Sequence, residues 1–142
     1  MSWQTANLGQ PPSLDDMEKM AEQASWTIPE ELRRHVDGVV IRIVEFPDRE
    51  TEVEMDLQSP FDLLGLYRGV SLDRKSVAWT STEMDIIFLY RRPILDYWCE
   101  TGEPLMRIVR HVLIHEIGHH FGLSDATNKS AGGIGRGRRM RL

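Results

Sequence analysis

Apolar and polar residues alternate along this chain with two different periods, and the two periods separate helices from strands. Ser13 can cap a helix from Leu14 to about Ser25, with Asp15, Asp16 and Glu18 in its first turns and Met17, Met20, Ala21 and Ala24 as its apolar stripe. Pro29 starts a short second helix through about His35, with Ile28 placed to staple it. Val39 to Phe46 is β-branched and reads as a strand that Pro47-Asp48 ends. Acidic residues dominate from Glu45 to Asp62. There Val53, Met55 and Leu57 alternate with Glu52, Glu54 and Asp56, so an edge strand or an irregular acidic loop is expected. Asp62 to Gly69 reads as a firm strand followed by a turn, and Gly65 inside it signals a bulge or a close backbone approach. Residues 71–84 read as loop, and Asp85 to Arg91 as a third strand. Pro93, lacking an N–H, is expected to end that ladder, with a short helix over residues 94–99.

The longest regular stretch runs from Pro104 to Phe121. At about 100° per residue, Leu105, Met106, Ile108, Val109, Val112 and Leu113 share one broad arc, and Glu116 and His119 fall inside it. A glutamate in an apolar arc is costly unless it is paired or has a task. Two or three strands beside a long buried helix predict a small α+β domain. Its sheet would be mostly antiparallel or mixed, with the helix packed on one face.

Composition narrows the setting. The chain has 142 residues, 41% hydrophobic and 27% charged, which suits one soluble domain with one core. No run of about 18 apolar residues exists, so no membrane span is expected. The first residues resemble no secretory signal and Cys99 has no partner cysteine, so a cytoplasmic protein is expected. Net charge is -5, but Arg136, Arg138, Arg139 and Arg141 concentrate basic charge at the end. The body is acidic, and nucleic acid is not expected as a partner. The boundaries that follow are a loose arm over residues 1–12, a domain over 13–131, and a Gly/Arg-rich basic tail over 132–142. The tail reads as a flexible solubilising end, or as an arm for an acidic partner or a flap over the acidic body.

The chemistry lies in His115-Glu116-Ile117-Gly118-His119, which continues through Gly122 to Asp125 as H-E-x-x-H-x-x-G-x-x-D. Histidines four apart on a helix share a face and can grip one metal ion. Glu116 lies roughly 100° from His115 and about 60° from His119, so it can flank the ion and take a proton from its water. Gly122 can end the helix and turn the chain, bringing Asp125 round as a third, oxygen ligand. Three protein ligands with an open fourth position define a catalytic zinc site. The plainer alternative is a buried helix whose polar residues bond one another. Around this centre, His111 reads as an exposed helix residue. His120 reads as a hydrogen-bond partner of the ligands or a satisfied half-buried histidine. Tyr67 and Tyr90 read as core aromatics that could stabilise an oxyanion if they border a cleft. Cys99 reads as an incidental thiol and Ser124 as a turn residue.

The chain resembles the small zincin-like metallopeptidases of bacteria. The likeness rests on Leu63 to Gly69, Asp85 to Ile94, and His111 to Asp125. The resemblance implies a zincin fold, with the metal on the long helix and a substrate cleft between that helix and a sheet edge, such as the strand Asp85–Arg91. By position it implies His115 and His119 as Zn2+ ligands, Asp125 as the third, and Glu116 as general base. The implied activity is zinc-dependent hydrolysis of peptide bonds in a peptide or protein substrate. The larger metzincins usually carry His where Asp125 stands and add a methionine turn; the only later methionine here is Met140. The chain given ends 17 residues after Asp125, so no lower subdomain is expected to close the cleft. A non-catalytic, metal-stabilised peptide-binding or regulatory module is the alternative. A deformylase-like enzyme would need a cysteine ligand in a context that Trp98-Cys99-Glu100 does not offer. A three-histidine ribonuclease would need His in place of Asp125.

Overall fold

The computed structural model describes residues 9–34, 38–69, 85–121 and 133–135. Helix α1 (Leu14–Trp26) begins in a reciprocal cap: Asp16 N–H donates to Ser13 Oγ at 3.1 Å, and Ser13 N–H donates to Asp16 Oδ2 at 2.9 Å. Its buried stripe is Met17, Met20, Ala21 and Ala24, as the spacing requires. Pro29 caps the four-residue helix α2 (Glu30–Arg33), and Ile28 before it is buried.

Strands β1 (Val39–Val44), β2 (Leu63–Arg68), β3 (Asp85–Tyr90) and β4 (Gly133–Gly135) form one sheet in the order β1-β3-β2-β4. β1 and β3 run parallel; β2 is antiparallel to both β3 and β4. The fold is therefore α+β with a mixed sheet. Strand β3 lies inside the sheet, paired on both sides, so the expectation that Asp85–Arg91 forms an exposed edge is corrected. β4 lies within the segment expected to be a flexible tail.

Two short helices differ from expectation. Residues 49–54 are neither an edge strand nor an irregular loop but a helix, α3 (Arg49–Glu54). Asp48 starts it by accepting from Thr51 N–H at 2.8 Å, and the buried Thr51 turns inward. Of the alternating apolar residues, Val53 is 66% exposed, whereas Met55 and Leu57 follow the helix and pack on the sheet. Helix α4 (Arg91–Thr101) starts earlier than residue 94 and contains Pro93 in its first turn. Proline is at home there because first-turn N–H groups have no intrahelical partner. Gly102, at φ 74, ends this helix in the left-handed region.

The main core lies on one face of the sheet. Helix α5 (Leu105–Phe121) packs with α1 over β2 and β3. It buries Leu105, Ile108, Val109, Val112, Leu113 and Ile117 against Leu64, Tyr67, Ile87 and Leu89. Each fully buried aliphatic side chain contributes about 1.5–3 kcal/mol. The opposite face carries a smaller cluster of Leu63, Leu66 and Tyr90 with Val44, Met55, Leu57 and Phe88.

β2 holds the detail that matters for the site. Leu63 and Leu66 face one side, whereas Leu64 and Tyr67 face the helix side. Strict alternation cannot produce this, because residues three apart point to opposite faces. The register of β2 against β4 shifts between Leu63 and Gly65, and this bulge supplies the extra residue. At the bulge, a methyl group on Gly65 would overlap Val112 Cγ1. Both readings of Gly65, bulge and close approach, hold.

Candidate metal centre

α5 carries His115, Glu116 and His119 on consecutive turns, with one donor atom from each lying within 4.8 Å of the others. The i, i+4 spacing brings the two imidazoles together edge to face, with ring centroids 4.7 Å apart and planes at 74°. Their Nε2 atoms face each other at 3.0 Å. That separation suits a hydrogen bond between neutral rings. It is also close to the roughly 3.3 Å between two nitrogens on one tetrahedral zinc, given Zn–N distances of about 2.0–2.1 Å. The donor set fits a divalent cation: two nitrogens already converged, with a carboxylate beside them.

Burial is graded across the three. Glu116 is 0% exposed, His119 8%, and His115 half-buried. Removing a carboxylate from water costs several kcal/mol unless it is hydrogen-bonded or paired. Here Tyr67 N–H donates to Glu116 Oε1 at 2.9 Å. The β2 backbone thus holds the carboxylate, with the bulge at Gly65 setting the phase of Tyr67. Tyr67 is itself fixed by its hydroxyl, which donates to Asp85 Oδ1 at 3.1 Å. Burial, the Asp85 charge and that bond all push the Tyr67 phenol well above its ordinary range. It stays a neutral donor, held within the core.

Tyr90 is also buried and is likewise pushed upward, mainly by burial. It stacks parallel to Phe88, on the far face of the sheet. His111 is half-buried rather than exposed, and burial lowers its pKa against a smaller opposing effect of Glu103. Cys99 is exposed. Asp125, Gly122, Ser124, His35 and the side chain of His120 lie outside the described residues. Among the described residues, no helix is long and apolar enough to cross a membrane.

Sequence reasoning nominated Glu116 but missed its partner. Tyr67 N–H is 49 residues away and belongs to the backbone, which leaves no signature in residue type. The one available signal was Gly65, whose bulge brings Tyr67 into position.

A long helix presenting two histidines and a glutamate against a mixed sheet is the arrangement that defines zincins. Residues 36–132 match the family of zincin-like metallopeptidases, and the chain belongs to that family. The family implies a metal, and the His–Glu–His group could hold one. No curated protein matches the chain.

Proposed function

We propose that the chain is a zinc-dependent peptidase. His115 and His119 hold the metal with Asp125 as the third ligand, and Glu116 is the general base. The observation that carries this reading is Glu116 itself: a fully buried carboxylate, held by a backbone N–H, beside two converged imidazole nitrogens. A site serving only structure would normally have four protein ligands and no use for such a base.

Bound there, zinc would acidify water to a pKa of about 7 and polarise the carbonyl under attack. Glu116 accepts the proton of the attacking water and delivers it to the leaving amine. Tyr67 N–H keeps Oε1 oriented during both transfers, so the carboxylate need not reorganise. His119 is buried and His115 half-buried, so His115 is the more accessible of the two imidazoles.

The test separates metal from chemistry. Purified protein is expected to carry about one zinc per chain, and His119→Ala to lose it. Asp125→Ala should weaken zinc binding; unchanged affinity would remove it as a ligand. Glu116→Gln preserves the Oε1 acceptor, so it should fold and keep zinc while hydrolysis of a diverse peptide pool falls roughly 10²–10⁴-fold. Full turnover in that variant would sink the general-base assignment. A pool left uncut by zinc-loaded protein, with or without chelator, would favour the non-catalytic peptide-binding module instead.

A further inference from the structure

The geometry points to a second binding site, on the face of the sheet away from α5, that takes a small organic amine with an aromatic body. It shares no residue with the candidate metal centre and does not rest on the peptidase reading. A cavity, its charge and one buried hydroxyl lead here.

Between α3 and the far face of the sheet lies a cavity of about 470 Å³. Small-molecule sites run from roughly 300 to 1,000 Å³. Val44, Phe88 and Tyr90 line it from the sheet, and Phe46 lines it from just beyond β1. The Phe88 and Tyr90 rings lie parallel, with centroids 6.2 Å apart. These walls suit a flat apolar body, and aromatic faces attract cations within about 6 Å. Phe46 already does so, with the Arg92 guanidinium 5.6 Å from its ring centroid.

The charged residues of the lining are Asp48, Glu50 and Arg68. Arg68 is engaged: its guanidinium meets Glu54 Oε1 at 2.7 Å and donates to Thr51 Oγ1 at 3.4 Å. Asp48 and Glu50, by contrast, form no ion pair among the described residues. Hydrogen bonds from Thr51 hold the Asp48 carboxyl below its ordinary range, so it is ionised at neutral pH. An anion entering the cavity would face two carboxylates and a guanidinium already taken. A cation meets the complementary field.

Tyr90 supplies the independent sign of a ligand. It is 2% exposed, yet among the described residues its hydroxyl makes no hydrogen bond. Buried hydroxyls nearly always have a partner, because leaving one bare is costly. Tyr90 lines the cavity, so the cavity is where a partner can come from. An ammonium donates to the hydroxyl oxygen and lies near the carboxylates, while the ring of the ligand packs on Phe88 and Val44.

The probes are phenethylamine, phenethyl alcohol and hydrocinnamate, which share an aromatic body and differ in head group. Each is titrated into the full chain and followed by amide NMR. The amine is expected to bind saturably, at least about tenfold more tightly than the carboxylate, and more tightly than the alcohol. It should shift the amides of Val44, Arg68 and residues 48–51. Tyr90→Phe removes only a hydroxyl that pairs with nothing, so it should fold, and it should weaken the amine roughly 2- to 10-fold. Chelator should leave amine binding unchanged. Phe88→Trp fills the cavity and should abolish binding. If that variant does not fold, the Tyr90→Phe affinity and the amide map decide. An amine no tighter than the alcohol or the carboxylate, no saturable binding, or unchanged affinity in Tyr90→Phe overturns the proposal. Shifts confined to α5, or binding lost to chelator, would put the amine at the metal centre and overturn it equally. None of these readouts uses turnover, so failure here leaves the peptidase reading untouched.

Discussion

Gly65→Ala is expected to destabilise the protein mainly through its overlap with Val112, and a second substitution should relieve that part of the loss. Gly65 does not occupy the left-handed region, so alanine meets no backbone strain there. The cost is steric. A Cβ at Gly65 would overlap Val112 Cγ1 and lie 3.2 Å from Phe88 O and 3.5 Å from Leu89 Cδ2. Phe88 O belongs to the strand paired with β2 and cannot retreat without disturbing the ladder. Val112 is fully buried, and a β-branched side chain in a helix has one strongly preferred χ1 rotamer. α5 itself must move, and overpacking of this kind costs about 1–3 kcal/mol. At roughly 3–4 °C per kcal/mol for a chain of this size, Tm should fall by about 6–8 °C for a mid-range cost. Val112→Ala alone should also destabilise, by leaving a cavity. Together the two changes fit one another, because the new methyl enters space the valine vacates. Urea denaturation of the two single variants and the double variant should give a favourable coupling of about 1 kcal/mol or more. Additivity within about 0.5 kcal/mol would refute the contact. Glu116 follows Val112 by one helical turn, so a shifted α5 should also strain the bond to Tyr67 N–H and slow turnover in Gly65→Ala more than in the double variant.

Zinc at a hundredfold excess over its Kd should stabilise the protein by about 2.7 kcal/mol in thermal melts, and His119→Ala should abolish that gain; an equal gain in the variant would place the metal elsewhere. Asp48→Ala should cost about 1 kcal/mol through loss of the α3 cap, without changing zinc affinity; no change in the urea midpoint would show that α3 does not depend on that cap. The depressed pKa of His111 means the unfolded chain takes up that proton first as pH falls. Its contribution is fully present above about pH 6.5 and is lost as pH falls from there through the lower folded value. His111→Gln should therefore flatten part of the acid-side loss of stability, and an unchanged pH slope would contradict the burial effect.

What was legible in the sequence follows from how local each feature is. α1 and α5 are long enough for a helical period to show, and the Ser13 cap lies in adjacent residues. α3 escaped because six residues do not define a period. Its stabilising contacts come partly from elsewhere, including Arg68 on β2, whose guanidinium meets Glu54 Oε1 at 2.7 Å. The start of α4 escaped because Pro93 reads equally well as the end of a strand and as the first turn of a helix. The candidate centre was legible for His115, Glu116 and His119 because the three donors sit at fixed spacing within one helix.

Sheet order is a different kind of information. Whether a strand is central or at an edge depends on what pairs with it, and the parallel pairing of β1 with β3 places β3 inside with no mark in either strand's own pattern. The same holds for the Glu116 environment. An H-E-x-x-H helix can nominate a base, but the base works only if its carboxylate is held in place, and that hold comes from Tyr67 N–H on β2. A β2 without its bulge would turn Tyr67 toward the far face, because a one-residue change of phase reverses every side chain beyond it. Gly65 thus links the two halves of the site: it admits Val112 close to the strand and sets the phase that brings the Tyr67 backbone to Glu116.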